Sequence, residues 1–140
     1  MKKLWEAYGE LPEIGENPEI ILNEYASKLK SDTDNMFSGV VTESIAEDSG
    51  VITYALYILV PKLKDYMYRL IVVNIQDLVT PYPLEIKLFA KVSINNRSVY
   101  ASNVEEFKEK LEYVITSPIT KGILFHLKTL IEIKKISSKE

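Results

Sequence analysis

The order of secondary-structure patterns along the chain predicts an α+β fold in one domain. The chain has 140 residues, a length that suits a single hydrophobic core. A helical pattern comes first, four or five strand patterns with short turns follow, and two helical patterns come last. Strands joined by short turns pair in antiparallel fashion, because a parallel crossover needs about a dozen or more residues. We therefore predict a four- or five-stranded antiparallel meander sheet with one N-terminal helix and two C-terminal helices packed on it.

The N-terminal segment is predicted to be a short amphipathic arm, residues 1–16. Trp5 and Tyr8 belong to one apolar helical stripe, which ends before a Pro- and Gly-containing stretch. The core of the single domain is then residues 17–136, followed by a polar tail, 137–140.

The first helix of the core has a clear start signal. Asn17 can cap the helix, and Pro18 suits the first helical position. Its apolar face repeats at helical spacing and consists of Ile21, Leu22, Tyr25, Ala26 and Leu29.

The strand patterns differ in the number of apolar faces. Residues 37–45 and 84–90 alternate between apolar and polar side chains, which is typical of strands with one wet face. The middle parts of residues 51–60 and 66–76 are apolar on both faces. Since helices on one side would bury only one face, we expect either helices on both faces or a second chain against part of the sheet.

The two C-terminal helices also have start signals. Ser102 and Glu105 have the spacing of a capping box, and Pro118 opens the last helix. The predicted buried face of the last helix consists of Ile119, Ile123, Leu127, Leu130 and Ile131.

Composition excludes several kinds of chemistry. The chain has no cysteine, so it has no disulfide, thiolate metal site, iron–sulfur cluster or cysteine nucleophile. His126 is the one histidine, so a site with two imidazoles from one chain is excluded. No serine lies in the GxSxG pattern of a nucleophile elbow. We therefore predict that the protein uses no cofactor and no metal ion, and we assign no catalytic residue.

Charge is distributed unevenly along the chain. Residues 1–50 carry four lysines against eleven acidic residues, whereas residues 51–140 carry thirteen basic residues against nine acidic ones. Lys121, Lys128 and Lys134 belong to the last helix, where cations near the C-terminus favour the helix dipole. Nucleic-acid binding through this helix is an unfavoured alternative, because no interleaved aromatic or base-reading pattern accompanies the lysines.

No targeting or membrane-spanning segment is expected. Glu6 and Glu10 interrupt the N-terminal stretch where a signal peptide would be apolar. The longest nearly continuous apolar run, residues 51–60, is about half as long as a membrane-spanning helix. This pattern predicts a soluble, cytoplasmic protein without membrane contact.

Four polar residues are candidates for a pocket between sheet and helices. His126 could act as a general base, and burial of Glu43 would raise its pKa and make it a proton donor. Tyr54 and Arg69 would complete such a pocket. In the simpler alternative His126 borders the core and Glu43 lies at a solvated strand end. If the four residues do form a pocket, the chain is a small-ligand-binding protein or a simple acid/base enzyme.

Aromatic residues favour a different function. The chain has nine tyrosines, and Tyr66 and Tyr68 share a strand face next to Arg69, which has the opposite parity. Tyrosine and arginine are frequent at protein interfaces, and Trp5 and Tyr8 could anchor the N-terminal arm to a partner. The leading hypothesis is therefore a small acidic, non-enzymatic protein-binding module of bacterial adaptor, inhibitor or immunity type. Its partner would be another protein or a second copy of the chain.

Overall fold

A computed structural model of the chain describes residues 17–88 and 99–137, and it confirms the predicted α+β fold. The elements in chain order are α1 (Pro18–Asp32), β1 (Ser38–Ile45), β2 (Ile52–Val60), a 3₁₀ turn (Pro61–Leu63), β3 (Tyr66–Ile75), β4 (Leu84–Leu88), β5 (Val99–Ala101), α2 (Val104–Ile115) and α3 (Pro118–Ser137). The expected arm, residues 1–16, lies outside the described residues.

The five strands form one antiparallel sheet in the order β1-β2-β3-β4-β5. The tight hairpin between β1 and β2 pairs Ile45 with Ile52 and sets a regular register along the whole of β1. Between β2 and β3 the register shifts at Leu56 and Tyr57, which marks a β-bulge. The meander therefore leaves β1 and β5 as the edges among the described strands.

The three described helices pack on one face of the sheet, here called the inner face. Buried side chains from all three helices and from the inner face form a single cluster. α1 approaches β1 so closely that a Cβ on Gly39 would overlap Ala26. The Tyr25 hydroxyl hydrogen-bonds to Glu112 Oε2 at 3.1 Å and joins α1 to α2 in the same layer.

The caps of the helices explain where they begin. Asn17 Oδ1 accepts a hydrogen bond from the Ile20 backbone N–H at 2.9 Å, as the sequence predicts. The α2 cap lies one residue later than predicted, because Asn103 Oδ1 accepts from Glu106 N–H at 2.8 Å. Glu106 Oε2 in turn accepts from Ser102 N–H at 2.7 Å. Asn103 and Glu106 have the same spacing as Ser102 and Glu105, and asparagine caps at least as well as serine.

The last helix buries a narrower face than the sequence predicts. Leu127 and Ile131 are buried, and Ile123 and Leu130 are half-buried against the cluster. Ile119 is 36% exposed because it lies at the border of this face. Phe125 is 71% exposed and points away from the core. α3 therefore has an apolar side chain on its solvent side.

The opposite face of the sheet, here called the outer face, is polar at one end of the strands and apolar next to that end. A polar ladder crosses four strands at one end: Thr53 Oγ1 to Asn74 Oδ1 (2.8 Å), Asn74 Nδ2 to Glu85 Oε1 (2.9 Å), and Tyr100 hydroxyl to Glu85 Oε2 (3.1 Å). Ala55 and Val72 are register partners beside the ladder; both are buried, but they lie outside the main cluster. The second set of apolar side chains on β2 and β3 therefore lies on the face of the sheet away from the described helices.

Candidate functional site

The predicted interface residues on β3 are divided between the two faces. Tyr66 and Tyr68 pair with Val60 and Ile58 on the inner face; Tyr66 is half exposed, and Tyr68 is partly buried against the cluster. Arg69 is exposed on the outer face and pairs with Tyr57. The three residues therefore do not form one patch. Trp5 and Tyr8 lie outside the described residues.

The predicted pocket residues do not converge on one cavity. Glu43 and Tyr54 are cross-strand partners at the β1 edge, Arg69 is on the outer face, and His126 is exposed on α3. A cavity between β4, β5 and α2 has a different lining. It has a volume of about 290 Å³ and is bounded by Ile86, Val99, Glu109, Lys110, Tyr113 and Val114.

Tyr54 and Glu43 nevertheless form a defined polar cluster with Glu19 of α1. The Tyr54 side chain is 3% exposed, and its hydroxyl interacts with both carboxylates. Burial, followed by the charge of Glu43 and then that of Glu19, raises the pKa of Tyr54 to about 12. The neutral phenol therefore holds two carboxylates beside β1.

β1 is an edge among the described strands, and apart from the charge of Glu43 it lacks the features that usually protect an edge. It has eight residues, contains no proline or lysine, and shows no bulge in its register with β2. Its second half, residues 42–45, is exposed. Val40, Val41 and Thr42 are β-branched and favour extended backbone.

The hydrogen-bonding groups on the outer side of β1 alternate along the strand. At the hairpin end Ala46 N–H donates to Val51 O at 2.9 Å, so the backbone groups of Ala46 point towards β2. In a regular antiparallel ladder this direction alternates from residue to residue. The N–H and C=O groups of Gly39, Val41 and Glu43 therefore point away from β2. No described strand pairs with this side of β1.

The surroundings of this edge are acidic. Residues 17–50 contain seven acidic residues and two lysines. Glu43 lies on the strand itself, Glu19 is held next to it through Tyr54, and Glu47 and Asp48 are exposed in the turn after β1. An extended segment that approaches the edge therefore meets negative charge.

The chain matches no family model, no curated protein and no solved structure.

Two further findings concern residues 17–88 and 99–137. No helix in these ranges is long and apolar enough to cross a membrane. No group of three or more histidine, aspartate or glutamate side chains in these ranges is arranged to hold a metal ion.

The features of the β1 edge are only partly visible in the sequence. The alternating pattern of residues 37–45 and their position as the first strand already favour an edge strand. The contact between Tyr54 and Glu43 follows from the hairpin register, whereas the approach of Glu19 depends on how α1 docks on the sheet. The exposure of Phe125 could have been read from the helical positions opposite Leu127 and Ile131.

Proposed function

We propose that the protein is a non-enzymatic protein-binding module that adds an extended segment of its partner to the open edge of β1. The observation that carries this proposal is the row of outward backbone groups on Gly39, Val41 and Glu43. Such a row is a template for strand addition, in which main-chain hydrogen bonds supply affinity and side chains supply specificity.

The side chains at the edge specify the partner further. Glu43, Glu19 and the acidic turn favour lysine or arginine in the added segment. Residues on the two faces of an added strand continue the alternation of β1, so its apolar side chains would extend the inner face next to Val41. The expected partner segment is therefore extended, basic and alternately apolar.

Peptide binding and hydrogen exchange test this proposal directly. The probe is a short, blocked peptide in which lysine alternates with valine or threonine, and the control probe has glutamate at each lysine position. We expect the basic peptide to bind at least about tenfold more tightly than the acidic one. Binding should slow amide exchange at Gly39, Val41 and Glu43, while the amides of Val40 and Thr42 are already slow in the free protein.

Two variants separate backbone pairing from charge. Val41→Pro removes an N–H that points away from β2, so it should keep the fold and abolish binding. Glu43→Lys should weaken binding of the basic peptide, whereas Lys87→Glu on β4 is the matched control and should not. Binding that survives Val41→Pro, or protection that appears on an element other than β1, would contradict the proposal. If Val41→Pro does not fold, the exchange pattern and the Glu43→Lys variant still show whether the peptide binds at the β1 edge.

A second candidate function is binding of a small apolar ligand in the cavity between β4, β5 and α2. Ile86, Val99 and Val114 give it an apolar lining, and Lys110 adds one cation at its border. Its volume of about 290 Å³ lies at the lower limit for ligand pockets, so it ranks second.

The cavity can be tested with 1-anilinonaphthalene-8-sulfonate, which combines an aromatic body with an anionic group. Binding at one saturable site that Lys110→Glu weakens and Val114→Trp removes would support this candidate. Lys62→Glu in the 3₁₀ turn is the matched control. Fluorescence that no variant changes would exclude the cavity as the binding site.

A further inference from the structure

The outer face of the sheet is buried at its centre, although the described helices pack on the other face. Ala55 of β2 and Val72 of β3 are register partners and are only 5% and 6% exposed. The helices contribute their buried side chains to the inner-face cluster, which includes neither of these two residues. Neighbouring strands shield the sides of such side chains, but the tips point away from the sheet and meet water unless a further layer covers them.

The nearest cross-strand neighbours of Val72 give its side chain little cover. Ala55, on one side, carries a single methyl group. Lys87, on the other side, extends towards Glu85 on its own strand, where its Nζ lies 3.7 Å from Glu85 Oε1. The low exposure of Val72 therefore indicates that another part of the protein packs on the outer face.

The segment that precedes α1 enters the described structure close to this face. The carboxylate of Glu19 interacts with the Tyr54 hydroxyl, and Tyr54 pairs with Glu43 near the hairpin end of β1. The first turn of α1 therefore lies beside the β1–β2 hairpin. Packed layers lie about 10 Å apart, so a chain that passes from one face of the sheet to the other travels about 20 Å. The six peptide units between residues 11 and 17 reach about 20 Å when extended.

The side chains of residues 1–16, which lie outside the described residues, suit an apolar sheet face. The apolar side chains of this segment recur at helical spacing and are here called the arm stripe: Leu4, Trp5, Tyr8 and Leu11. On the outer face, Val40, Tyr57 and Leu59 are half-buried and extend the apolar area around Ala55 and Val72. Both surfaces therefore gain from being removed from water.

Charge also favours this segment over the other stretch outside the described residues. Residues 1–16 contain four glutamates and two lysines, and Arg69 and Lys87 lie on the outer face beside the apolar area. Residues 89–98 contain one lysine, one arginine and no acidic residue, so they would bring like charge to the same place.

We propose that residues 1–16 fold back on their own chain and cover the outer face, with the arm stripe against Ala55 and Val72. The low exposure of these two residues carries the inference. The segment passes around the hairpin end of the sheet, so the outward backbone groups of Gly39, Val41 and Glu43 stay accessible to a partner. This inference does not depend on the proposed function, and neither fails with the other.

Fluorescence provides the first test. Trp5 is the one tryptophan of the chain, so tryptophan emission reports on this segment alone. At a concentration where the mass in solution is 16.0 kDa, we expect short-wavelength emission and weak quenching by acrylamide. Ala55→Lys should shift the emission to longer wavelength and strengthen the quenching, because an unpaired ammonium group under the segment is costly to bury. Thr129→Lys, at an exposed position of α3, is the matched control and should change neither.

Cross-linking then locates the segment. The chain has no cysteine, so two introduced thiols are the only targets of a short bismaleimide. Tyr8→Cys combined with Thr42→Cys, which is exposed on the outer face next to Ala55, should give a cross-link within one chain. Tyr8→Cys combined with Phe125→Cys on the solvent side of α3 is the control and should not. If Ala55→Lys does not fold, as judged by circular dichroism, the comparison of these two pairs still decides.

Three results would overturn the proposal. The first is wild-type emission at the long wavelength of a solvated indole. The second is a cross-link that forms only between chains, which would place a second copy on the outer face. The third is a cross-link of equal yield to Phe125→Cys, which would show that the segment has no fixed place on the sheet.

Discussion

Gly39 is the residue that sets how closely α1 lies on β1. It belongs to the inner face, where its neighbours are Val41 on the same strand and Ala26 of the helix. A side chain there would have to displace the backbone of α1, since the nearest atoms include the Cα and O of Ala26. The close packing of the first helix therefore depends on one missing methyl group.

The two glycines of β1 and α3 should respond in opposite directions to the same substitution. Gly39→Ala should lower the free energy of unfolding by about 1–3 kcal/mol because the core is overpacked. Gly122→Ala should raise it by about 0.5–1 kcal/mol, since alanine favours the helix and its Cβ meets nothing. Urea unfolding at low protein concentration measures both. A neutral Gly39→Ala would contradict direct packing of α1 on β1.

Two tyrosines should make the stability of the protein sensitive to alkaline pH. The pKa of Tyr25 and that of Tyr54 are each raised to about 12, in both cases first by burial and then by nearby glutamates. In the unfolded chain both phenols ionise near their ordinary pKa of 10.0. The folded state therefore keeps its full advantage below pH 10 and loses it as the pH rises towards 12.

The measurement is the free energy of unfolding at several pH values between about 9 and 11.5, where the two states differ in bound protons. We expect a steeper loss in the wild type than in the double variant Tyr25→Phe, Tyr54→Phe. Tyrosinate absorbance should show a late-titrating group in the native protein that disappears in denaturant. Native tyrosines that all titrate near pH 10 would contradict the raised values.

At the level of elements, the cap of α2 shows why start signals in a sequence can be one residue off. Ser102 and Asn103 are both good caps, and each has a glutamate three residues later. The structure uses Asn103 and lets Glu106 accept from the Ser102 backbone. The choice depends on how β5 ends, which is not visible in the local pattern.

Substitution of these neighbours should separate the two caps. Asn103→Ala should lower the free energy of unfolding by about 1 kcal/mol, because it removes the acceptor for Glu106 N–H. Ser102→Ala should have a much smaller effect, since only the backbone of Ser102 takes part in the capping hydrogen bond with Glu106. Equal losses in the two variants, measured by thermal unfolding, would show that the cap had been assigned incorrectly.

For the molecule as a whole, the start of the meander could be predicted because the connections from β1 to β2 and from β2 to β3 are short. Turn residues at 47–50 and 61–65 leave no room for crossovers, so sequential strands had to be neighbours. This order also makes β1 an edge among the described strands. The position of α1 over β1, by contrast, depends on the fit of Ala26 to Gly39, which no periodicity reveals.

The candidate site was less predictable than the fold because it depends on which residues the sheet brings together. Because side chains alternate along a strand, the sequence already places Arg69 on the opposite face from Tyr66 and Tyr68. The structure shows these residues on different faces. His126 could be placed on the last helix from its spacing, but its exposure depends on which side of α3 meets the sheet. The strongest site feature, the outward backbone of β1, involves no distinctive side chain and so leaves little signal in the sequence.

The edge of β1, with which no described strand pairs on its outer side, also bears on aggregation of the protein. A strand with no lysine, proline or bulge along its outer side does not discriminate strongly against other exposed strands. If a partner strand covers this edge, as proposed, copies made in excess of that partner would add to one another or to unfinished chains, and the eight-residue edge would become the seed of an aggregate. Under that proposal we expect balanced synthesis of the two proteins to matter more for solubility than the stability of the fold itself.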